Sequence, residues 1–202
     1  MTASISSIQK SPVTEGNFHS VQDVAEASNL QLVRPQGQIQ IHTAPIRGGF
    51  SVVLSESIRV AGLGSRVLVS QLLKGGVDQG AAKGIHMCGQ LHWIRPAFTC
   101  CISEPKHMLD KESQVFFQLE IQKIWNICKK QMKEELIDRL VIDEIGLAIF
   151  FGYLDLNDLI SFKLICFQEV NFTLCLIVPV AEPYLFPDVN FLDLPNSIVL
   201  PS

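Results

Sequence analysis

Asp143 and Glu144 close an apolar run, Leu140 to Ile142, and a turn-rich loop, Thr43-Ala44-Pro45-Ile46-Arg47-Gly48-Gly49-Phe50-Ser51, follows the alternating segment Gln38-Ile39-Gln40-Ile41. Residues of these types at these places do anion and cation chemistry. A loop that turns at Pro45 and at paired glycines directs backbone N–H groups toward an anion, and carboxylates at the carboxyl end of a buried parallel strand face a ligand crevice. Gln71 and Lys74 end a third apolar run and bring an amide and a cation. Each has a plainer reading. The two acids could simply begin a solvent-facing loop, and Lys74-Gly75-Gly76 also reads as a strand-ending turn. Two acids terminating a buried strand favour a site.

The elements that must position these residues are legible from periodicity. Gln38 to Ile41 alternates as a short strand does, and from Phe50 the apolar residues Val53, Leu54, Ile58 and Ala61 recur at helical spacing, with Glu56 and Arg59 on the wetter face. Gly62-Leu63-Gly64 ends that helix as a C-terminal glycine cap, and Arg66 to Leu73 reads as a buried strand. The unit is therefore strand, loop, helix, strand, as in a βαβ crossover. Downstream, Leu91-His92-Trp93-Ile94 reads as a short strand with Trp93 as a core anchor, and His42 packs beside the loop. A long helix follows over residues 111–135. Val115, Leu119, Gln122, Trp125 and Ile127-Cys128 approximate its inward stripe, and Lys123, Lys129, Lys130, Lys133, Glu134 and Glu135 dress its outer face.

Composition bounds the class. The chain has 202 residues, 48% hydrophobic and 18% charged, with a net charge of −4, which suits one domain with a sizeable core and gives no electrostatic case for nucleic acid. The amino terminus has no continuous apolar signal segment, and runs such as Phe172 to Val178 stop at Pro179, well short of the ~20 residues a bilayer requires. A cytoplasmic protein without membrane contact is expected. Cys88, Cys100, Cys101, Cys128, Cys166 and Cys175 contain no C-x-x-C pair and read as free, mostly buried thiols, not as a zinc or disulfide framework. Residues 1–36, rich in Ser, Gln, Thr and Asn, read as a flexible lead with a short helix around Val21 to Ala27.

With these residues in place, the chain resembles the P-loop ATP:corrinoid adenosyltransferases, which act on cob(I)alamin or cob(I)yrinic acid a,c-diamide in cobalamin synthesis. Their amino-terminal part runs strand, T-G-N-G-K-G-K-T-T, a helix with R-A-x-G-x-G, and a strand ending V-x-Q-F-x-K-G. The present sequence matches without a gap through Thr43, Gly48, Arg59, Gly62, Gly64, Val67, Val69, Gln71, Lys74 and Gly75. Leu140-Val141-Ile142-Asp143-Glu144-Ile145 is similar to the family's Walker B strand, and Gly152-Tyr153-Leu154 with Asp158-Leu159-Ile160 to its next loop and helix start. The likeness spans residues 37–162. It implies an α/β, P-loop NTPase-like (RecA-like) fold, a mainly parallel sheet flanked by helices, over residues 37–178. It further implies ATP, Mg²⁺ and a corrinoid substrate, with phosphates near Thr43, Arg47, Gly48, Gly49, Ser51, Gln71 and Lys74, and the metal near Asp143 and Glu144.

Several positions depart from that pattern. Gly49 stands where the family has the Walker lysine, Phe50 where it has the metal-binding hydroxyl, and Ala44 where it has the first loop glycine. A charge-assisted contact contributes ~1.5–3 kcal/mol, so losing the lysine and the hydroxyl lowers triphosphate affinity by several powers of ten. Arg47 and Ser51 are the nearest replacements. Arg47 would have to turn inward from the loop tip, and its plainer reading is a solvated cation. Phe98-Thr99-Cys100 replaces the family's F-T-W, removing an aromatic expected near the corrinoid.

After Phe162 one basic residue, Lys163, faces four acids and five of the ten prolines, and nothing resembling the family's closing T-G-R follows Thr173 to Val178. Divergence, or a change of reading frame near Phe162, accounts for this shift. Residues 179–202 accordingly read as a Pro-rich, poorly packed tail. Two functional expectations follow: a corrinoid adenosyltransferase-family protein with weak or lost transfer, or a non-catalytic descendant that binds a nucleotide or a protein partner through the same crevice; a homodimer is a separate partner expectation.

Overall fold

The computed structural model describes residues 37–44, 47, 50–168, 173–179 and 197–201. Within them the chain alternates strands and helices: β1 (Gln38–Ala44), α1 (Ser51–Gly62), β2 (Val67–Gln71), β3 (Ile85–Met87), β4 (Leu91–Ile94), α2 (Lys111–Lys133), β5 (Arg139–Asp143), α3 (Ile145–Phe150), α4 (Leu156–Gln168), β6 (Thr173–Pro179) and β7 (Ser197–Pro201). The strands form one sheet in the order β3-β4-β2-β5-β6-β1-β7. Only the β3–β4 pair is antiparallel; the other five pairings are parallel. The expected α/β, mainly parallel architecture of the P-loop NTPase-like class is thus what forms.

Alternation along the central strands builds a core on each face of the sheet. Val67, Val69, Val141, Cys175 and Ile177 pack on one face with Phe50, Val53 and Ala61 of the loop and α1. Leu68, Leu140, Ile142, Leu174 and Leu176 pack on the other with Ile121, Ile124 and Trp125 of α2 and Leu159 and Phe162 of α4. Every residue of β2 is buried, the pattern of a strand covered on both sides. In α1 the buried positions Val53, Ser57 and Ala61 are four apart, as its amphipathic reading requires, and Gly64 closes the helix at φ +101°, its N–H donating to the Ala61 carbonyl.

α2 corrects the expected stripe. Trp125 and Cys128 point inward, but Val115 and Leu119 are more than half exposed, and the buried set is Glu120, Ile121, Ile124, Trp125, Cys128 and Met132. The first half of this helix carries apolar residues on more than one side, so its periodicity has two solutions, and packing against β2 and α4 selects one. Asp110 caps the helix, Oδ1 accepting from the Ser113 N–H at 2.9 Å. Trp125 Nε1 and Lys129 Nζ both donate to Asp158, tying α2 to the start of α4, so Lys129 serves a contact as well as the outer face.

The cysteines also differ from expectation: Cys88, Cys100 and Cys101 are exposed, Cys128 and Cys175 are buried, and all five are free. Cys166, the short helix near residue 21 and the lead 1–36 lie outside the described side chains or residues. β7 runs parallel to β1, from Ile39 opposite Ser197 to Thr43 opposite Pro201, and so adds the edge strand on that side. No helix among the described residues is long and apolar enough to cross a membrane.

Candidate functional site

The carboxyl ends of β1, β2 and β5 open on the same edge of the sheet. β6 separates β1 from β5, while β2 lies directly beside β5, with Gln71 opposite Asp143. This register follows from the apolar runs on both strands, which place the last residue of each at the mouth together. Gln71 Nε2 donates to Asp143 Oδ2 at 2.7 Å, and both residues are almost wholly buried.

Lys74 reaches the same oxygen. The chain leaves β2 through Leu72 and Leu73, and Lys74 bridges to Cys101 across an isolated antiparallel pair. The next residue must be glycine, because a Cβ at Gly75 would lie 1.7 Å from the Phe98 carbonyl oxygen. That close approach positions Lys74 Nζ 2.9 Å from Asp143 Oδ2 and 3.2 Å from Glu144 Oε1. Burial opposes the lysine's charge, yet the two carboxylates hold its pKa above the ordinary value. Burial in turn raises the pKa of Asp143, against the pull of Lys74 and Gln71.

Arg47 completes the cluster and overturns its plainer reading. Its guanidinium turns inward, Nε donating to Glu144 Oε1 at 2.8 Å and Nη2 to Oε2 at 2.7 Å, a bidentate pair 97 residues apart in sequence. Hydrogen bonding to Glu144 raises the arginine's pKa further. Glu144 is 1% exposed and sits at φ 61°, ψ 28°, a left-handed conformation uncommon for a residue with a side chain. Backbone outliers of this kind concentrate at sites.

The structure therefore brings together Arg47, Gln71, Lys74, Asp143 and Glu144. Thr43 lies near the end of β1, and Ser51 is exposed at the first residue of α1, where no side chain caps the helix. Gly48 and Gly49 lie outside the described residues. Phe50, expected from the sequence to stand in place of a metal-binding hydroxyl, is a core residue 9% exposed, its ring edge-on to Trp93 with centroids 6.0 Å apart and Lys74 Nζ 5.7 Å from its centroid. Trp93, expected as a core anchor, is only partly buried: it packs against the edge of the core beside α1 and lies under Arg95. The sequence reading missed the pairing of Arg47 with Glu144, of Phe50 with Trp93, and of Lys74 with Cys101. None carries a local signal, since each joins residues far apart in the chain.

A Mg²⁺ site makes specific demands on such a donor set. The metal takes oxygen ligands in near-octahedral order, through one or two carboxylates, waters and substrate phosphates. Here Asp143 Oδ2 is held by Gln71 and Lys74, and both Glu144 oxygens are held by Arg47. Of the four carboxylate oxygens only Asp143 Oδ1 is buried without a partner among the described residues, and Gln71 Oε1 of the same cluster is likewise buried and unpartnered. With Phe50 supplying no hydroxyl, the residues as arranged do not fit a magnesium site.

An α/β sheet of this order, with a loop and two acids at its carboxyl edge, defines a protein of the P-loop NTPase-like class. Residues 35–170 match the model of the ATP:corrinoid adenosyltransferase BtuR/CobO/CobP family, and the chain belongs to that family. Its substrates, as a family, are ATP and a corrinoid. The match ends a few residues past Phe162, where the composition changes. A search among curated proteins finds no match to the chain.

Proposed function

We propose that this chain binds the polyphosphate of ATP at the crevice where Arg47, Gln71, Lys74, Asp143 and Glu144 meet, near Thr43 and Ser51, and that it carries out the family transfer weakly or not at all. In that reaction Co(I) of the corrinoid attacks the 5′ carbon of ATP: a Co–C bond forms, the C5′–O bond breaks, and triphosphate leaves with the bonding electrons. The protein's part is to place the triphosphate and offset its charge. Convergence of Arg47 and Lys74 on the mouth beside the loop is the observation that carries the reading.

The same geometry supports weakness. Each cation is engaged by a carboxylate of the chain itself, so a phosphate must compete with Glu144 and Asp143 for it. Gly49 and Phe50 supply neither the terminal-phosphate contact nor the metal anchor. The test is formation of adenosylcorrinoid from ATP and chemically reduced corrinoid, followed by absorbance. The expected result is a slow wild-type rate that Gly49→Lys with Phe50→Thr raises at least tenfold; a fast wild-type rate, unaffected by that change, contradicts the reading. Burial of Phe50 against Trp93 favours a second reading, a non-catalytic nucleotide- or protein-binding descendant. Nucleotide binding with no transfer in either protein supports that one.

A further inference from the structure

We propose that Arg47 is an exchangeable phosphate-binding arm, latched by Glu144 in this structure and handed to the phosphates of a ligand, so that the crevice takes a polyphosphate without a divalent metal. The inference rests on the nucleotide reading above and specifies its charge chemistry. Three observations carry it.

The latch joins unequal partners. Glu144 is fixed, 1% exposed at the end of β5, whereas Arg47 comes from the loop and its side chain is 30% exposed. An arm can leave where an anchor cannot. Glu144 also has a second cation in waiting: Lys74 Nζ lies 3.2 Å from its Oε1 while bonding Asp143 at 2.9 Å, so departure of Arg47 leaves no carboxylate buried and unpaired. Finally, Arg47 presents only its Nε and Nη2 edge to Glu144; no bond from Nη1 is seen among the described residues, and a guanidinium has five N–H donors. A phosphate can therefore engage Arg47 before the latch opens.

The metal's place is filled by these cations. Asp143 and Glu144 meet Lys74 and Arg47 through three of their four oxygens, and the hydroxyl that would anchor Mg²⁺ is replaced by a buried ring. In the latched state two protein cations balance two protein carboxylates; on release Lys74 alone stays with both carboxylates while Arg47 meets the ligand's charge. Mg²⁺ bound to the polyphosphate would lower the charge that Arg47 recognises and find only Asp143 Oδ1 and Gln71 Oε1 not already engaged by the protein's own donors.

The experiment is titration of inorganic tripolyphosphate, and in parallel ATP, into the full chain with EDTA or with Mg²⁺. Wild type, Arg47→Ala, Glu144→Gln and the double variant form a double-mutant cycle. Glu144→Gln should tighten tripolyphosphate binding at least tenfold, and that gain should fall below about twofold when Arg47 is absent. Mg²⁺ should not tighten binding to wild type. Weaker binding by Glu144→Gln, or tightening by Mg²⁺, identifies the carboxylates as metal ligands and overturns the proposal. A gain that persists without Arg47 is general charge relief and also overturns it, leaving the nucleotide reading intact. Should wild type and Glu144→Gln bind neither ligand at ~10 mM, the nucleotide reading falls and the latch with it. If Glu144→Gln does not fold, Arg47→Lys replaces it: with the bidentate hold lost but the charge kept, binding should be no weaker than wild type, and weaker binding overturns the latch.

Discussion

Replacing Phe50 by Thr introduces the hydroxyl that the sequence resemblance implies for that position, and the structure predicts that it destabilises this protein. The ring is 9% exposed and packs with Val53, Val67, Val69, Leu91 and Val141, edge-on to Trp93. Truncating a buried Phe to Ala costs ~3–5 kcal/mol, of which an aromatic pair supplies ~0.5–1.5 kcal/mol; Thr keeps two of the lost heavy atoms, so the core term is about 2–4 kcal/mol. An opposing gain exists, because Phe50 is the N-cap of α1 and makes no side-chain cap bond. A Thr there contributes at most ~1 kcal/mol. The core term wins, with a net loss of about 1–3 kcal/mol, or ~3–10 °C in melting temperature for a chain of this length. Thermal unfolding by circular dichroism measures it, with Val52→Thr, at a position 62% exposed, as the control expected to stay close to wild type. A Phe50→Thr melting point equal to wild type would refute the argument, showing that position 50 is still an unpacked loop residue.

Asp143→Asn should lower stability by about 1–3 kcal/mol, because Oδ2 accepts from both Gln71 and Lys74 in a buried setting; an unchanged denaturation midpoint with ligand affinity cut tenfold would assign this acid to ligand and not to fold. Burial, with Arg139 adding, holds the His42 pKa below its ordinary 6.5, and burial with His86 does the same for His92. The unfolded imidazoles therefore take up protons first as pH falls through about 6.5, and stability declines from there until the lower folded pKa values are reached. His42→Gln should flatten this decline in denaturant midpoints between about pH 7 and pH 5, and a slope equal to wild type would exclude His42 as a source. Truncation after Pro179 removes β7 and leaves the β1 edge unpaired, so the shortened chain should melt lower and aggregate more readily; unchanged behaviour in light scattering and melting would return residues 180–202 to the poorly packed tail read from their prolines.

Much of the scaffold was legible because local signals and burial agree. Ile39 and Ile41 alternate in β1, Val53 and Ala61 mark the α1 face, and the unbroken apolar run in β5 ends at the two acids as a covered parallel strand must. α2 was misregistered because Val115, Phe116 and Leu119 are as apolar as the residues that pack, and only the neighbours β2 and α4 decide which side is inside. That Gln71, Lys74, Asp143 and Glu144 come together was readable, since Gln71 and Asp143 end neighbouring strands and Lys74 and Glu144 follow within three residues. The direction of Arg47 was not, since a loop cation has no periodicity and its partner lies 97 residues away. The role of Phe50 was half visible: the missing hydroxyl shows in the sequence, but the Trp93 ring it packs against comes from β4, with β2, β5 and β6 lying between it and β1 in the sheet.

The central claim, that the crevice keeps the shape of a nucleotide site while lacking the groups that make it tight, is tested most directly by calorimetric titration of ATP with Mg²⁺ into wild type and Gly49→Lys/Phe50→Thr, at a temperature where both are folded. The account predicts a wild-type dissociation constant no tighter than about 1 mM, only ~4 kcal/mol of binding, and at least tenfold tighter binding by the variant. Micromolar binding by wild type, or no gain in the variant, contradicts it.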